Sequence, residues 1–308
     1  MRERVSRFSG FVGVMQSPPE GTGSSGSIAD RRDFVYSEDD FKLICKMIYR
    51  RVGISLAVSK RDMVYNRLSR RLRALRIPDF ASYLKRLTAD EKNPEWEPFV
   101  NALTTNTTSF FRESHHFPML AELLLANSAS RSNLSIWCSA ASTGEEPYSI
   151  AMTVADTLGP KASQVSILAT DVDTEVLKVA AAGVYPDERV EKMAPDLLRR
   201  HFLRGKGDQA GNVRVRPELC QMVDFAQLNL LAPEWPMRGQ FDAIFCRNVL
   251  IYFDRQTQAQ IVTRFAPLLR PDGMLFIGHS ESLFHVSEIF RLRGQTTYQR
   301  IMPGEPLE

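Results

Sequence analysis

Apolar positions along the chain follow two rhythms. Up to about residue 103 they recur at helical spacing. Ser37 is a helix-capping residue with Asp40 three positions on, and Phe41, Ile44, Cys45, Ile48 and Tyr49 follow at helical intervals. In residues 60–76 (KRDMVYNRLSRRLRALR), Val64, Leu68, Leu72 and Leu75 recur at steps of four, four and three, predicting a helix with one buried face. Asp79–Thr88 and Glu95–Leu103 carry further helical patterns, so residues 37–103 read as a small all-α domain. From about Asn133, apolar runs of strand length alternate with helical patterns. Leu134–Ser139, Val165–Thr170, Phe241–Cys246 and Met274–Gly278 are the predicted strands, the last entered through a turn at Pro271-Asp272-Gly273. Pro147–Leu158, Thr174–Ala182 and Arg255–Leu269 are the predicted helices. This alternation predicts an α/β fold with a parallel, doubly wound sheet over residues 133–308, and Ile289–Ile301 as β structure added at an edge.

Three segments break these rhythms. Residues 1–36 contain Pro18-Pro19 and a Gly/Ser-rich run from Gly21 to Ser27, which predicts a disordered tail. Residues 104–132 form a linker between the two domains. Residues 204–216 (RGKGDQAGNVRVR), with three glycines and alternating Val213 and Val215, predict a hairpin, so an inserted β subdomain is placed at about 203–217. A plain surface loop is the competing reading of that stretch.

Composition narrows the function classes. At 308 residues, with 44% hydrophobic and 24% charged, the chain is long enough for two globular domains and is neither fibrous nor wholly disordered. A net charge of +3 does not mark a nucleic-acid binder. No apolar run approaches the roughly 20 residues needed to span a bilayer, and the N-terminus is not read as a signal peptide. The four cysteines are far apart and the adjacent His115-His116 are expected to diverge, so neither a disulfide framework nor a metal site is predicted. Charge is concentrated in residues 60–76. There Lys60, Arg61, Arg67, Arg70, Arg71, Arg73 and Arg76 face a lone Asp62.

Candidate chemistry lies after the predicted strands, where doubly wound sheets bind ligands. The loop Ala140–Gly144 is small enough for close approach of a ligand to the backbone. It is not a GxGxxG loop, and Glu145 and Glu146 at the helix start would repel a pyrophosphate. Asp171, at the end of the second strand, is suited to accept hydrogen bonds from ribose hydroxyls; taken alone, an acid after a strand is more often a helix cap, and Asp173 could serve that purpose too. Together these features favour an adenosine-type ligand without phosphate, and S-adenosylmethionine fits. Arg247-Asn248 after the third strand would lie where substrate meets cofactor, or be a satisfied turn. The linker Thr104–Glu113 is rich in hydroxyls, with an aromatic pair and an arginine, as a ligand cleft between domains would be.

LTTNTTSFFRE (Leu103–Glu113), ASTGEEPYSIAM (Ala141–Met152), TDVDTEVL (Thr170–Leu177), VDFAQLNLL (Val223–Leu231) and FDAIFCRNVLIYF (Phe241–Phe253) closely resemble the CheR family. These are chemotaxis methyltransferases that use S-adenosylmethionine, leaving S-adenosylhomocysteine, to esterify glutamate carboxylates of chemoreceptors during adaptation. The resemblance runs from about Phe41 to Ile301. It implies an N-terminal helical receptor-docking domain and a Rossmann-like methyltransferase domain with an inserted β subdomain. By motif it implies that Asn106, Thr108, Arg112, Glu146, Asp171, Asn229, Leu230, Arg247 and Asn248 bind the cofactor, with Glu146 at its methionine end and Asp171 at the ribose. Arg112 and Tyr252 would adjoin the reacting centre, and Arg67, Arg70 and Arg71 would dock the acidic receptor helices. The inserted hairpin resembles the part of the family that pairs with a C-terminal pentapeptide of some receptors. A cytoplasmic monomer recruited to receptor arrays, without nucleic acid or membrane insertion, is implied. Methylation of a small molecule or nucleic acid would use the same cofactor site but leaves the receptor-specific motifs unexplained. A cofactor-binding adaptor without activity is disfavoured by the presence of both Arg112 and Tyr252.

Overall fold

The computed structural model describes residues 33–283 and 288–302; most of the predicted tail, residues 1–32, lies outside them. Four helices come first: α1 (Glu38–Val52), α2 (Arg61–Leu75), α3 (Phe80–Ala89) and α4 (Trp96–Leu103). Ser37 and Asp40 form a reciprocal capping box at the start of α1, and Asp79 caps α3 through the Ser82 amide. Phe41, Ile44, Ile48, Val64, Leu68 and Leu72 form the core of this bundle with Phe80, Tyr83 and Phe99. Of the apolar positions of α1, Cys45 is partly buried and Tyr49 is exposed. Phe34 packs edge-on to Phe80 at 6.4 Å between ring centres, and Tyr36 lies 4.6 Å from the same ring.

The remainder is α5 (His116–Ser128), β1 (Leu134–Cys138), α6 (Glu145–Leu158), β2 (Val165–Asp171), α7 (Thr174–Ala182), β3 (Val184–Pro186), α8 (Pro195–His201), β4 (Phe202–Arg204), β5 (Asn212–Val215), α9 (Pro217–Cys220), β6 (Val223–Gln227), β7 (Phe241–Cys246), α10 (Arg255–Phe265), β8 (Leu269–Ile277), β9 (Phe290–Gly294) and β10 (Thr297–Arg300). The main sheet runs β6-β2-β1-β7-β8-β10-β9. Its first five strands are parallel, and β10 and β9 continue it antiparallel, so the sheet is mixed at one edge. Alternating residues of the central strands feed separate cores. Ile136, Cys138, Ala243 and Phe245 pack on one face, and Trp137, Ile244 and Cys246 on the other. Both faces are therefore dry, as a helix-covered parallel sheet requires.

Four differences from the sequence reading have physical causes. The 104–132 linker contains α5, whose apolar residues cover too much of its circumference to read as amphipathic. Strand β6 was unpredicted because it is an edge strand with only Val223 fully buried. The expected turn at 271–273 is an irregularity within β8: Phe241 pairs with Leu269, yet Ala243 pairs with Met274. The inserted sheet is three-stranded, in the order β3-β5-β4, and its first strand begins at Val184, ahead of the expected boundary near 203.

Candidate active site

The carboxyl ends of β1, β2 and β7 open on a cavity of about 320 Å³. Its roof comes from the helical region: Val52, Ile54, Ser55, Leu56, Ala57, Lys60 and Met63. The two regions are pinned together around it. Tyr49 Oη donates to Asp254 at 2.6 Å, Asn229 Nδ2 to the Arg51 carbonyl at 2.8 Å, and the Ser55 amide to the Tyr252 carbonyl at 2.8 Å. The segment after α4 is stitched down by Asp173, which accepts from Thr104 Oγ1 at 2.6 Å and Asn106 Nδ2 at 2.8 Å while capping α7. Asn106, Thr108, Arg112, Glu146, Asp171, Asn229, Leu230, Arg247, Asn248 and Tyr252 all line this one cavity.

The wall made by β1, β2 and their loops is locally built. Gly144 (φ 98°) turns the chain into α6, and a side chain there would meet Tyr185 Oη and the Ala180 backbone. Ser142, at φ 48°, donates its amide to Asp171 Oδ2 at 2.8 Å and its hydroxyl to the Asn106 carbonyl at 2.9 Å. Asp171 also accepts the Asp173 amide at 3.0 Å. Burial pushes the Asp171 carboxyl up to about 6, against the pull of these amides. The two adjacent glutamates divide. Glu145 is fully buried away from the cavity, paired with Arg189 and accepting from Thr143 Oγ1 at 2.6 Å. Glu146 lines the cavity, accepts from Arg247 Nη1 at 2.8 Å, and takes the Cys138 thiol hydrogen at 3.2 Å. Burial raises the Glu146 carboxyl, and the Arg247 charge opposes that rise.

The opposite wall follows β7. Arg247 is 4% exposed and donates to Glu146, to the Arg112 carbonyl and to Glu113 at 3.3 Å. Glu113 (φ 52°) also accepts Asn248 Nδ2 at 3.1 Å and the His279 amide at 3.1 Å. Burial pushes the Glu113 carboxyl up, but these donors and Arg247 outweigh it and hold it below its ordinary value. Asn248 is itself left-handed at φ 57°. Non-glycine residues in this conformation are uncommon, and Phe111, Glu113, Ser142 and Asn248 all lie in the segments that meet at the cavity. His116 does not reach the cavity. Burial and the nearby Arg247 press its imidazole down to about 3, so it is neutral, and its ring lies 4.1 Å from that of His115 instead of diverging. Sequence reasoning missed Glu113 and Glu281 as groups organising this wall. Neither lies next to Arg247 or Asn248 in the chain, so no local pattern marks them.

The basic helix is used in two ways. Arg71 makes a double contact with the buried Glu95, at 2.8 and 2.7 Å, and Tyr83 Oη joins the same carboxylate at 3.0 Å. Arg67 donates to the carbonyls of Ala102 and Thr104. Arg61 donates to the Tyr36 carbonyl, and Arg73 covers Phe34. Of the three arginines implicated in docking, only Arg70 is exposed.

Chemically, the cavity offers two carboxylates with spare acceptor capacity, Asp171 and Glu146, the second paired with the buried Arg247 guanidinium. Residues 39–104 match the CheR methyltransferase all-alpha domain, and residues 106–299 match the CheR methyltransferase SAM binding domain. The chain is 54% identical over 262 residues to a chemotaxis protein methyltransferase of Escherichia coli, covering 85% of this chain and 91% of the relative. It is 55% identical over 263 residues to one of Klebsiella aerogenes, covering 85% and 89%. It is 50% identical over 277 residues to chemotaxis protein methyltransferase 2 of Pseudomonas aeruginosa, covering 90% and 98%.

Proposed function

This chain belongs to the CheR family of S-adenosylmethionine-dependent chemotaxis methyltransferases, and we propose that its methyl acceptors are glutamate carboxylates on the cytoplasmic helices of chemoreceptors. The observation that carries the reading is the pairing of Asp171 and Glu146 in one cavity, each with acceptor capacity left over. Asp171 suits ribose hydroxyls. Glu146 suits an ammonium, and the adjoining Arg247 brings the opposite charge that an amino-acid carboxylate would seek. Asn106, Thr108, Asn229, Leu230 and Asn248 would complete the enclosure.

S-adenosylmethionine supplies an electrophilic methyl on a sulfonium; the acceptor oxygen forms the new O–C bond as the S–C bond breaks, and S-adenosylhomocysteine leaves neutral at sulfur. A glutamate carboxylate, with an ordinary pKa near about 4.3, is already ionised at neutral pH. The chain therefore needs no strong base, and its task is to align and desolvate the carboxylate. Arg112, donating to the Thr107 carbonyl at 2.9 Å, is close enough to the cavity to orient an incoming carboxylate with its remaining donors. Tyr252 would donate its hydroxyl to the same oxygen pair.

Docking of an acidic helix would draw on Arg70 directly and on Arg67, whose partners are neutral carbonyls, through the field it adds to that face, while the Arg71 charge is offset by Glu95. The outer strands β3 and β4 of the small sheet have the geometry to add a receptor pentapeptide as a further strand. The enzyme would act as a cytoplasmic monomer at receptor arrays; among the described residues no helix is long and apolar enough to cross a membrane. The test is transfer of tritiated methyl to receptor-containing membranes, followed by alkali. Methanol release identifies a carboxyl ester; alkali-stable label, or labelling of nucleic acid alone, overturns the assignment.

A further inference from the structure

The carboxylate of Glu281 is 7% exposed and gathers four backbone amides. Oε2 accepts from Asn248 at 2.9 Å and from Gly278 at 2.6 Å; Oε1 accepts from Leu250 at 2.7 Å and from Ile251 at 3.3 Å. Three of these donors belong to the loop after β7 that carries Asn248 and Tyr252, and the fourth belongs to the end of β8. The loop's carbonyls are held by Gln258 Nε2, which donates to Leu250 at 2.9 Å and Phe253 at 3.0 Å, and by the Ser55 amide on Tyr252, whereas the amides of Asn248, Leu250 and Ile251 go to Glu281. Asn248 is left-handed, and the turn Leu250–Tyr252 is a single 3₁₀ turn without a side-chain cap. Gly278 leaves the room required. A β-carbon there would stand 2.6 Å from both Glu281 Oε2 and Asn248 Nδ2.

We propose that Glu281 is a positioning residue for methyl transfer, fixing the acceptor side of the cavity by holding the Asn248–Tyr252 loop through its backbone. Burial raises its carboxyl above the ordinary range while the amides pull it back, and only the ionised form accepts at both oxygens. Because each oxygen serves two donors, a glutamine cannot substitute in either orientation: its NH₂ would face two N–H groups. Asp171 and Glu146 are held by other partners, and of the residues that would enclose the cofactor only Asn248 is held by this clamp, so cofactor affinity should change less than turnover. The inference rests on the reading of the cavity as the methyl-transfer site.

Glu281→Gln, folded by circular dichroism, should lose about 10- to 100-fold in kcat for receptor methylation, the cost of roughly an ångström of misplacement. Its Kd for S-adenosylhomocysteine by calorimetry should move by less than about threefold, or under ~0.7 kcal/mol. Glu281→Asp, which restores the charge, should recover part of the rate. Gly278→Ala crowds the same carboxylate from the opposite side and should reproduce the kcat loss if the glutamine variant does not fold. Unchanged kcat in either folded variant overturns the role, as does a loss of cofactor affinity equal to the loss of rate. If the unaltered enzyme takes up no S-adenosylhomocysteine, the site reading itself fails, and that outcome is separate from any effect of the variants.

Discussion

The two walls of the cavity are built by different means. On the β1/β2 side, part of the orientation comes from neighbours close in sequence, Asp171 from the amide of Asp173 and the entry to α6 from Gly144, and the rest from the Ser142 amide on Asp171 and from Arg247 on Glu146. On the β7 side, the loop from Arg247 to Tyr252 is oriented by Glu113 and Glu281, which lie far along the chain. The first wall is suited to hold a ligand in a rigid cradle formed as soon as the strand–loop–helix units form. The second exists only when the linker and the end of β8 have come together, and on the proposed reading it is the side that would align the acceptor. Affinity and turnover should therefore be separable by mutation.

Arg247 joins the two walls, so its loss should blur the contrast most. Arg247→Met leaves Glu146 and Glu113 without their buried cation and should cost about 3–5 kcal/mol, lowering Tm by about 10 °C in thermal denaturation. Asp171→Ala acts on the cradle alone. With two charged hydrogen bonds lost, S-adenosylhomocysteine should bind about 100-fold more weakly by calorimetry, with much less change in kcat at saturating cofactor. Arg112→Ala should do the reverse, reducing turnover by about tenfold or more; full turnover with normal cofactor binding would remove Arg112 from the alignment of the acceptor. Acidification probes the cradle more gently. Asp171, raised to about 6, is protonated below that pH and then offers fewer acceptor positions. Affinity should fall about tenfold between pH 7 and 5, Glu146 contributing in the same direction, and Asp171→Asn should flatten the profile. The smallest effect belongs to Arg70→Ala, a reduction of about two- to threefold in receptor methylation at low salt that disappears as salt rises. Arg71→Ala, by contrast, should register first in Tm, because it strands the buried Glu95.

The same contrast explains what the sequence disclosed. Strands β1 and β7 are apolar runs buried on both faces, and α7 has its own cap in Asp173, so local pattern suffices for each. The strand ends then point to Glu146, Asp171 and Arg247 by topology. Less was legible where meaning depends on distant partners. Arg67 and Arg71 look like surface charge in a helical wheel, yet both are spent on internal acceptors. Glu281 sits in a short segment after a strand and resembles any solvated acid until its four amides are seen. The small sheet escaped full recognition because its strands are three or four residues long, too short for alternation to register.

The roof of the cavity has a thermodynamic corollary. Val52–Met63 and the sheet's loops are separate parts of the chain, and a cofactor enclosed between them touches both. Such a ligand acts as a rivet: it adds to the hydrogen bonds that already join the helical bundle to the α/β body, and the two should unfold together at a higher temperature once it is seated. A fragment lacking the bundle should hold the nucleoside more loosely, since the roof from Val52 to Met63 would be gone.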